Sequence, residues 1–209
     1  MSNYKTEQEV FWAGSFGDDY VKRNQGSNWV ASNSALFKKI FGRIQSVGSV
    51  IEFGANVGLN LRAIKTLFPK IKLSAVEINE DAMCELKKME DINTYQQSML
   101  DFEEDTQWDF VLIKGVLIHI DPGSLSRAYE VLYKSSKRFI CIAEYYSPSP
   151  VEVGYRGHQG KLFKRDFAGE MLDRFKDVCL IDYGFVYHRD PCPQDDITWF
   201  LLEKNNPIG

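Results

Sequence analysis

Glu52, Gly54 and Gly58 stand in SVIEFGANVGLNLRAIKTLFP (49–69), where an apolar run breaks into a glycine-bearing turn and then a helical pattern. Glycines at such a place let a backbone approach a ligand, and their spacing selects the ligand. A dinucleotide fingerprint requires G-x-G-x-x-G, each glycine with its own steric task. Here its three positions are Gly54, Asn56 and Leu59, so two of three fail. A phosphate-cradling loop fails as well, because no G-K-[ST] follows. The residues fit an acid followed by G-x-x-x-G. That turn suits a ligand whose uncharged or zwitterionic part passes close to the backbone, with the acid taking a hydroxyl or an ammonium.

A second acid, Glu77, closes the next apolar run, AVEIN, roughly twenty residues further on, the distance at which a ribose diol is held. QSMLDF follows the third run, where an adenine edge would lie. LIKGVLIHI places Lys114, Gly115 and Val116 at the end of the fourth. His119, among Val116, Leu117, Ile118 and Ile120, reads as a structural or ligand-edge histidine rather than a proton shuttle. HRD at 188–190 has no kinase glycine loop or D-F-G to accompany it, so it reads as a polar loop. Segment 144–166 is the hardest to explain by folding. Its prolines, glycines and lack of apolar periodicity predict a long loop, and such loops are usually functional. Tyr145, Tyr146 and Tyr155 offer flat faces and hydroxyls; Arg156, Lys161 and Arg165 can pair with a carboxylate or phosphate; His158 and Glu144 are the available bases.

The elements that must position these residues alternate. Helices are expected at 5–13, 18–24 and 29–44, then strand 49–53, helix 58–68, strand 72–78, and helix 79–89 capped by Asn79. Strands 92–96 and 108–114, helix 122–134, strand 138–146, helix 164–175 and a final antiparallel pair, VCLIDYGFVY and ITWFLLEK, complete the chain. Continuous apolar strands such as FVLI and FICIA suit a parallel sheet covered on both faces. The expected fold is therefore α/β: one Rossmann-like, doubly wound domain over 1–209, with a mostly parallel seven-stranded sheet. Within it, 1–46 form a helical cap, 47–146 the half that carries the glycine turn, and 147–209 a long loop and the antiparallel C-terminal strands, which the resemblance given below makes the cofactor-binding half and the acceptor loop.

The chain has 209 residues, 44% hydrophobic and 26% charged, with net charge −4. That balance is globular, and it provides no global basic field for nucleic acid. No basic and apolar leader opens the sequence, and no apolar run approaches the ~20 residues of a membrane span, so neither a membrane nor a nucleic-acid partner is expected. The four scattered cysteines read as reduced thiols of a cytoplasmic protein, and no ligand cluster suggests a metal. Oligomeric state is not legible.

Glu52-x-Gly54-x-x-x-Gly58 together with Glu77 resembles the class I S-adenosylmethionine-dependent methyltransferases over about residues 49–146. The resemblance implies that Glu52, Gly54, Ala55 and Gly58 face the methionine part and Glu77 the ribose, with Ile78, Ser98 and Met99 flanking adenine. Asn56 departs from the family at its middle glycine, and Asn reaches positive φ more readily than other non-glycine residues. Longer blocks (FWAGSFGDDYVKRN, IEFGANVGLNLRA, KGVLIHI, EYYSPSPVEVGYRGHQGKLFKRDFAGEM and DYGFVYHRDPCPQDDITWFLLEK) are similar to the methylases associated with pseudaminic acid biosynthesis. This second resemblance implies a small anionic nonulosonic-type sugar, or its precursor, as methyl acceptor. Tyr20 and Arg23 are then expected on the methionine carboxylate with Trp12 over the site. Arg156 is expected to anchor the acceptor, and His158 to lie near the receiving atom. His188 and Arg189 would line the acceptor side. Two other classes stay compatible with the residues: a dinucleotide-dependent oxidoreductase, and a cofactor-binding partner protein without catalysis.

Overall fold

The structure, a computed structural model, describes residues 4–23 and 27–205. Seven strands form one sheet in the order β3-β2-β1-β4-β5-β9-β8. They are β1 (Ser49–Phe53), β2 (Lys72–Glu77), β3 (Ile92–Gln96), β4 (Trp108–Lys114), β5 (Ser136–Glu144), β8 (Val178–Val186) and β9 (Ile197–Lys204). The first five run parallel, and β9 pairs antiparallel with both β5 and β8. The expected mostly parallel sheet with an antiparallel C-terminal pair is therefore the observed one. β1 is flanked by β2 on one side and β4 on the other, so the strand order reverses beside it, the position at which open α/β sheets bind ligands.

Successive residues of each strand point to opposite faces, and helices cover both. Val50, Phe110, Leu112 and Cys141 pack under α3 (Ser27–Phe41) and α4 (Leu59–Leu67). Ile51, Phe53, Val111, Ile113 and Ile142 pack under α6 (Leu125–Ser135) and α7 (Phe167–Arg174). The central strands therefore read as unbroken apolar runs. Asn79 caps α5 (Glu80–Leu86) through its side chain, as expected.

The differences are at element ends and in one segment. The second helix, α2 (Ser15–Arg23), starts directly after α1 (Glu7–Ala13), with only Gly14 between them. Its expected end at 24 lies outside the described residues. Pro122–Ser124 form a 3-10 turn before α6 begins. The expected loop 144–166 is partly ordered as a flap: β6 (Val151–Glu152) pairs antiparallel with β7 (Phe163–Lys164), and α7 starts only after Asp166 caps it. Two-residue strands are too short to leave a period in the sequence. All four cysteines are free thiols, and no helix among the described residues is long and apolar enough to cross a membrane.

Candidate active site

The turn after β1 is built on backbone that side chains resist. Gly54, Asn56 and Gly58 all have positive φ, at +71°, +49° and +77°. A Cβ on Gly54 would fall 2.4 Å from Val116 Cγ2, and one on Gly58 2.8 Å from both Leu86 Cδ2 and Met89 Sδ. Asn56 holds the left-handed position by accepting the Val57 N–H on its own Oδ1 at 2.6 Å. Its backbone N–H donates to Glu77 Oε2 at 2.7 Å, and Glu77 Oε1 accepts the N–H groups of Ile78 and Asn79, each at 2.8 Å. Burial raises the Glu77 pKa, and these backbone donors oppose the rise. The carboxylate is fixed in place on a cavity wall, and its Oε2 retains capacity for a further donor.

This cavity sits over the carboxyl ends of β1, β2 and β4. Gly54, Ala55, Asn56, Glu77, Ile78, Ser98, Met99, Lys114, Gly115, Val116 and Tyr20 all line it, which brings together most of the residues expected on the cofactor. Three lie elsewhere. Gly58 closes the turn behind the wall, its N–H on the Ala55 carbonyl. Arg23 is exposed, its guanidinium above the Phe16 and Tyr20 rings. Glu52 is fully buried beneath the turn, where it points under α4 instead of into the cavity. Desolvation pushes its pKa up to about 8, and Asn60 Nδ2 donates to its Oε1 at 2.6 Å. Asn60 itself reaches the wall, with Oδ1 buried and unpartnered among the described residues. Glu52 thus holds a cavity-lining side chain, Asn60, a residue the glycine pattern alone does not single out. Lys114, pushed below its ordinary pKa by burial, is held up by the carboxylates of Glu52, Asp195 and Glu144.

The cap closes the cavity from above. Trp12, Gly17, Tyr20 and Val21 line it, and so do Trp29 and Asn33 of α3. Trp12 lies 4.5 Å from the His119 ring centroid and packs edge-on against Tyr20 at 5.3 Å. Asn79 docks the cap to the sheet: its Nδ2 donates to Asp18 Oδ1 at 2.8 Å and to the Trp12 carbonyl at 3.2 Å. No side chain fits at Gly17, where a Cβ would stand 1.9 Å from that same carbonyl. His119 also lines the cavity. Its Nδ1 is 2.6 Å from the Lys161 carbonyl, which can only accept, so Nδ1 carries the proton and Nε2 the lone pair. Burial pushes its pKa down to about 4.

The residues expected on the acceptor divide between two places. Tyr145, Tyr146 and His188 line a second cavity with Lys164, Phe185, Asp196 and Thr198, and Asp195 belongs to both cavities. The other candidates line neither. His158 is exposed and packs edge-on against Phe11 (5.0 Å) and Phe16 (5.6 Å), on the outside of the cap. Tyr155 backs His119 at 4.9 Å, and Arg156 sits 5.8 Å from the Tyr155 ring centroid. Lys161 Nζ pairs with Glu7, and Arg165 Nε donates to Glu170 Oε1 at 2.7 Å. Arg189 is exposed. The flap thus clamps the cap from outside. Glu144 is buried, with Oε1 accepting the Val116 and Leu117 N–H groups, each at 2.9 Å, and its pKa raised by burial to about 7. It braces the turn after β4. Among the described residues no group of three or more His, Cys, Asp or Glu could hold a metal ion.

No family model matches the chain, and no curated protein matches it. Solved structures do. The Burkholderia thailandensis 1,6-didemethyltoxoflavin-N1-methyltransferase, with 1,6-didemethyltoxoflavin and S-adenosylhomocysteine bound, superposes with a TM-score of 0.69 at 14% identity, over 95% of this chain and 87% of that one. A glycopeptide N-methyltransferase in complex with S-adenosyl-L-methionine gives 0.62 at 15%, over 82% and 92%. An S-adenosylmethionine-dependent methyltransferase from Clostridium acetobutylicum gives 0.63 at 10%, over 91% and 98%. The chain has the Rossmann-like fold of these S-adenosylmethionine-dependent methyltransferases.

Proposed function

We propose that the protein is an S-adenosylmethionine-dependent methyltransferase acting on a small anionic, hydroxyl-rich acceptor of the nonulosonic sugar type. The observation that carries the cofactor reading is the pairing of a positive-φ turn at Gly54–Gly58 with a Glu77 carboxylate held on the cavity wall by three backbone N–H groups. The Gly54–Asn56 backbone on the cavity wall, and the unpartnered Oδ1 of Asn60 on a residue that lines the same cavity, fit a zwitterionic methionine portion. Glu77 fits a vicinal diol. When bound, the sulfonium supplies an activated methyl group for in-line displacement by the acceptor's nucleophilic atom. The chain's own residues then have three tasks: Trp12 and Tyr20 exclude water, the Gly54–Gly58 turn and Glu77 orient, and a base takes a proton where the acceptor is a hydroxyl.

The second cavity supports the acceptor class. Tyr145, Tyr146 and Phe185 provide flat faces, Lys164 provides a cation for a carboxylate, and Asp195 and Asp196 provide acceptors for hydroxyls. Asp195, shared by both cavities, takes the proton-accepting role that the sequence suggests for His158 and Glu144. Titration calorimetry with S-adenosylhomocysteine and with NAD, followed by mass spectrometry for a one-methylene gain on nonulosonic acids and nucleotide sugars, tests the reading. Binding of NAD without S-adenosylhomocysteine would overturn it.

A further inference from the structure

We propose that Glu9, in the first turn of α1, is the acceptor that reads the exocyclic 6-amino group of the adenine, so that the N-terminal cap sets the nucleobase specificity of the site. This rests on the S-adenosylmethionine reading above. Glu9 lines the main cavity and is only 6% exposed. Its Oε2 accepts the backbone N–H groups of Lys5 at 2.6 Å and Thr6 at 2.9 Å, and the Thr6 side chain accepts the Glu9 N–H in return. That reciprocal cap accounts for one oxygen. The other, Oε1, is buried and has no hydrogen-bond partner among the described residues. A buried carboxylate oxygen without a donor is costly, and cap formation alone does not require it.

Its place in the fold says which donor it serves. Lys5 forms an ion pair with Asp101, which fixes the start of α1 over the 3-10 turn Met99–Asp101, and Gln8 Nε2 donates to the Gly160 carbonyl at 3.0 Å. Glu9 therefore lines the same cavity as Ser98 and Met99, from the helix whose start meets the turn after β3. On the S-adenosylmethionine reading, a ribose at Glu77 leaves its base to the neighbouring ends of β2 and β3, where Ile78, Ser98 and Met99 line the cavity. The segment after β3 brings no carboxylate to the cavity: Ser98 and Met99 line it there, and the Ser98 hydroxyl accepts the Leu100 N–H at 3.1 Å. Only three acidic side chains line the cavity among the described residues, and Glu77 and Asp195 have the diol and the second cavity. An adenine amino group is a donor and satisfies Glu9 Oε1. A 6-oxo purine presents an acceptor and opposes it.

The test is calorimetry of S-adenosylhomocysteine against S-inosylhomocysteine on the full chain and on Glu9→Gln and Glu9→Ala. Gln preserves the capping box, so it carries the test even where Ala fails to fold. Wild type should bind the adenosyl ligand at least about tenfold more tightly than the inosyl one. Glu9→Gln, able to turn an amide N–H toward the base, should narrow or reverse that ratio, and Glu9→Ala should abolish it. A wild type that binds both ligands equally, or variants that keep its ratio, would overturn the role of Glu9 and leave the cofactor reading standing. A wild type that binds neither ligand would fail the cofactor reading itself.

Discussion

At Glu77 three backbone N–H groups, one from the glycine turn and two from the residues just after β2, converge on one carboxylate, so a single side chain organises the turn and offers a ligand acceptor. Glu77→Ala should weaken S-adenosylhomocysteine binding by about tenfold or more, as lost charge-assisted bonds imply. Titration calorimetry checks this, and unchanged affinity would remove the diol role. His119 gives a second prediction, on stability. Its folded pKa near 4 lies below the ordinary 6.5, so between those values the unfolded chain binds a proton that the folded chain does not. Folding stability attributable to His119 is present above pH 6.5 and is lost as pH falls toward 4, on the order of 3 kcal/mol in full. Glu52 and Glu144, raised to about 8 and about 7, act in the opposite sense: the folded state keeps their protons, and that contribution is lost as pH rises. The His119→Asn variant isolates the histidine. In urea melts across pH, the stability difference between wild type and variant should shrink on acidification, and a constant difference would contradict the buried neutral ring.

Among the elements, Asn79 is the residue that ties α1 and α2 to the start of α5. Asn79 caps α5 with Oδ1, through the Ala82 N–H at 2.9 Å, and holds α1 and α2 with Nδ2. Asn79→Ala should cost about 1–2 kcal/mol through the cap alone. It should also loosen Trp12 and Tyr20 over the cavity and weaken S-adenosylhomocysteine binding. Thermal melts and calorimetry on Asn79→Asp, which keeps the cap but replaces the amide donor, separate the two effects. If Asn79→Asp binds like wild type, the docking bonds do not matter for the site. The flap is the other element of consequence. Lys161 and His158 press on α1 and α2 from outside, and the Lys161 carbonyl sets the His119 tautomer.

For the molecule as a whole, the decisive feature is that two cavities share Asp195 as a lining residue. One lies under the cap at the sheet's reversal point, and the other lies against β8, β9 and the flap. On the proposed reading, the first cavity takes the cofactor and the second the acceptor. Tyr146→Ala, at the second cavity, should raise the acceptor KM several-fold and leave S-adenosylhomocysteine affinity unchanged. Asp195→Asn should lower kcat by ~10²–10⁴ if the acceptor is a hydroxyl. Steady-state kinetics on the acceptor found by mass spectrometry would show both. Wild-type kcat in Asp195→Asn would exclude it as the base.

The sequence by itself determined the sheet, because each central strand carries its own apolar run and each helix its own period, and such signals are local. It also determined the glycine turn and Glu77, since a strand end, a positive-φ turn and an acid at fixed spacing all lie within one β-α-β unit. Only the tertiary structure decided which polar residues face the cavity. Glu52 is legible as an acid at a strand end, yet strand alternation turns it under α4 and leaves Asn60 on the wall. His158 and Glu144 are legible as bases, but their roles follow from contacts with Phe11, Phe16, Val116 and Leu117. Glu9 reads locally as half of a capping box. Its second oxygen acquires meaning only when the ion pair from Lys5 to Asp101 lays α1 beside the end of β3. The Asn33–Gln194 pair at the same cavity joins side chains 161 residues apart. No period or spacing encodes such contacts, because they are set by how packed layers settle against one another.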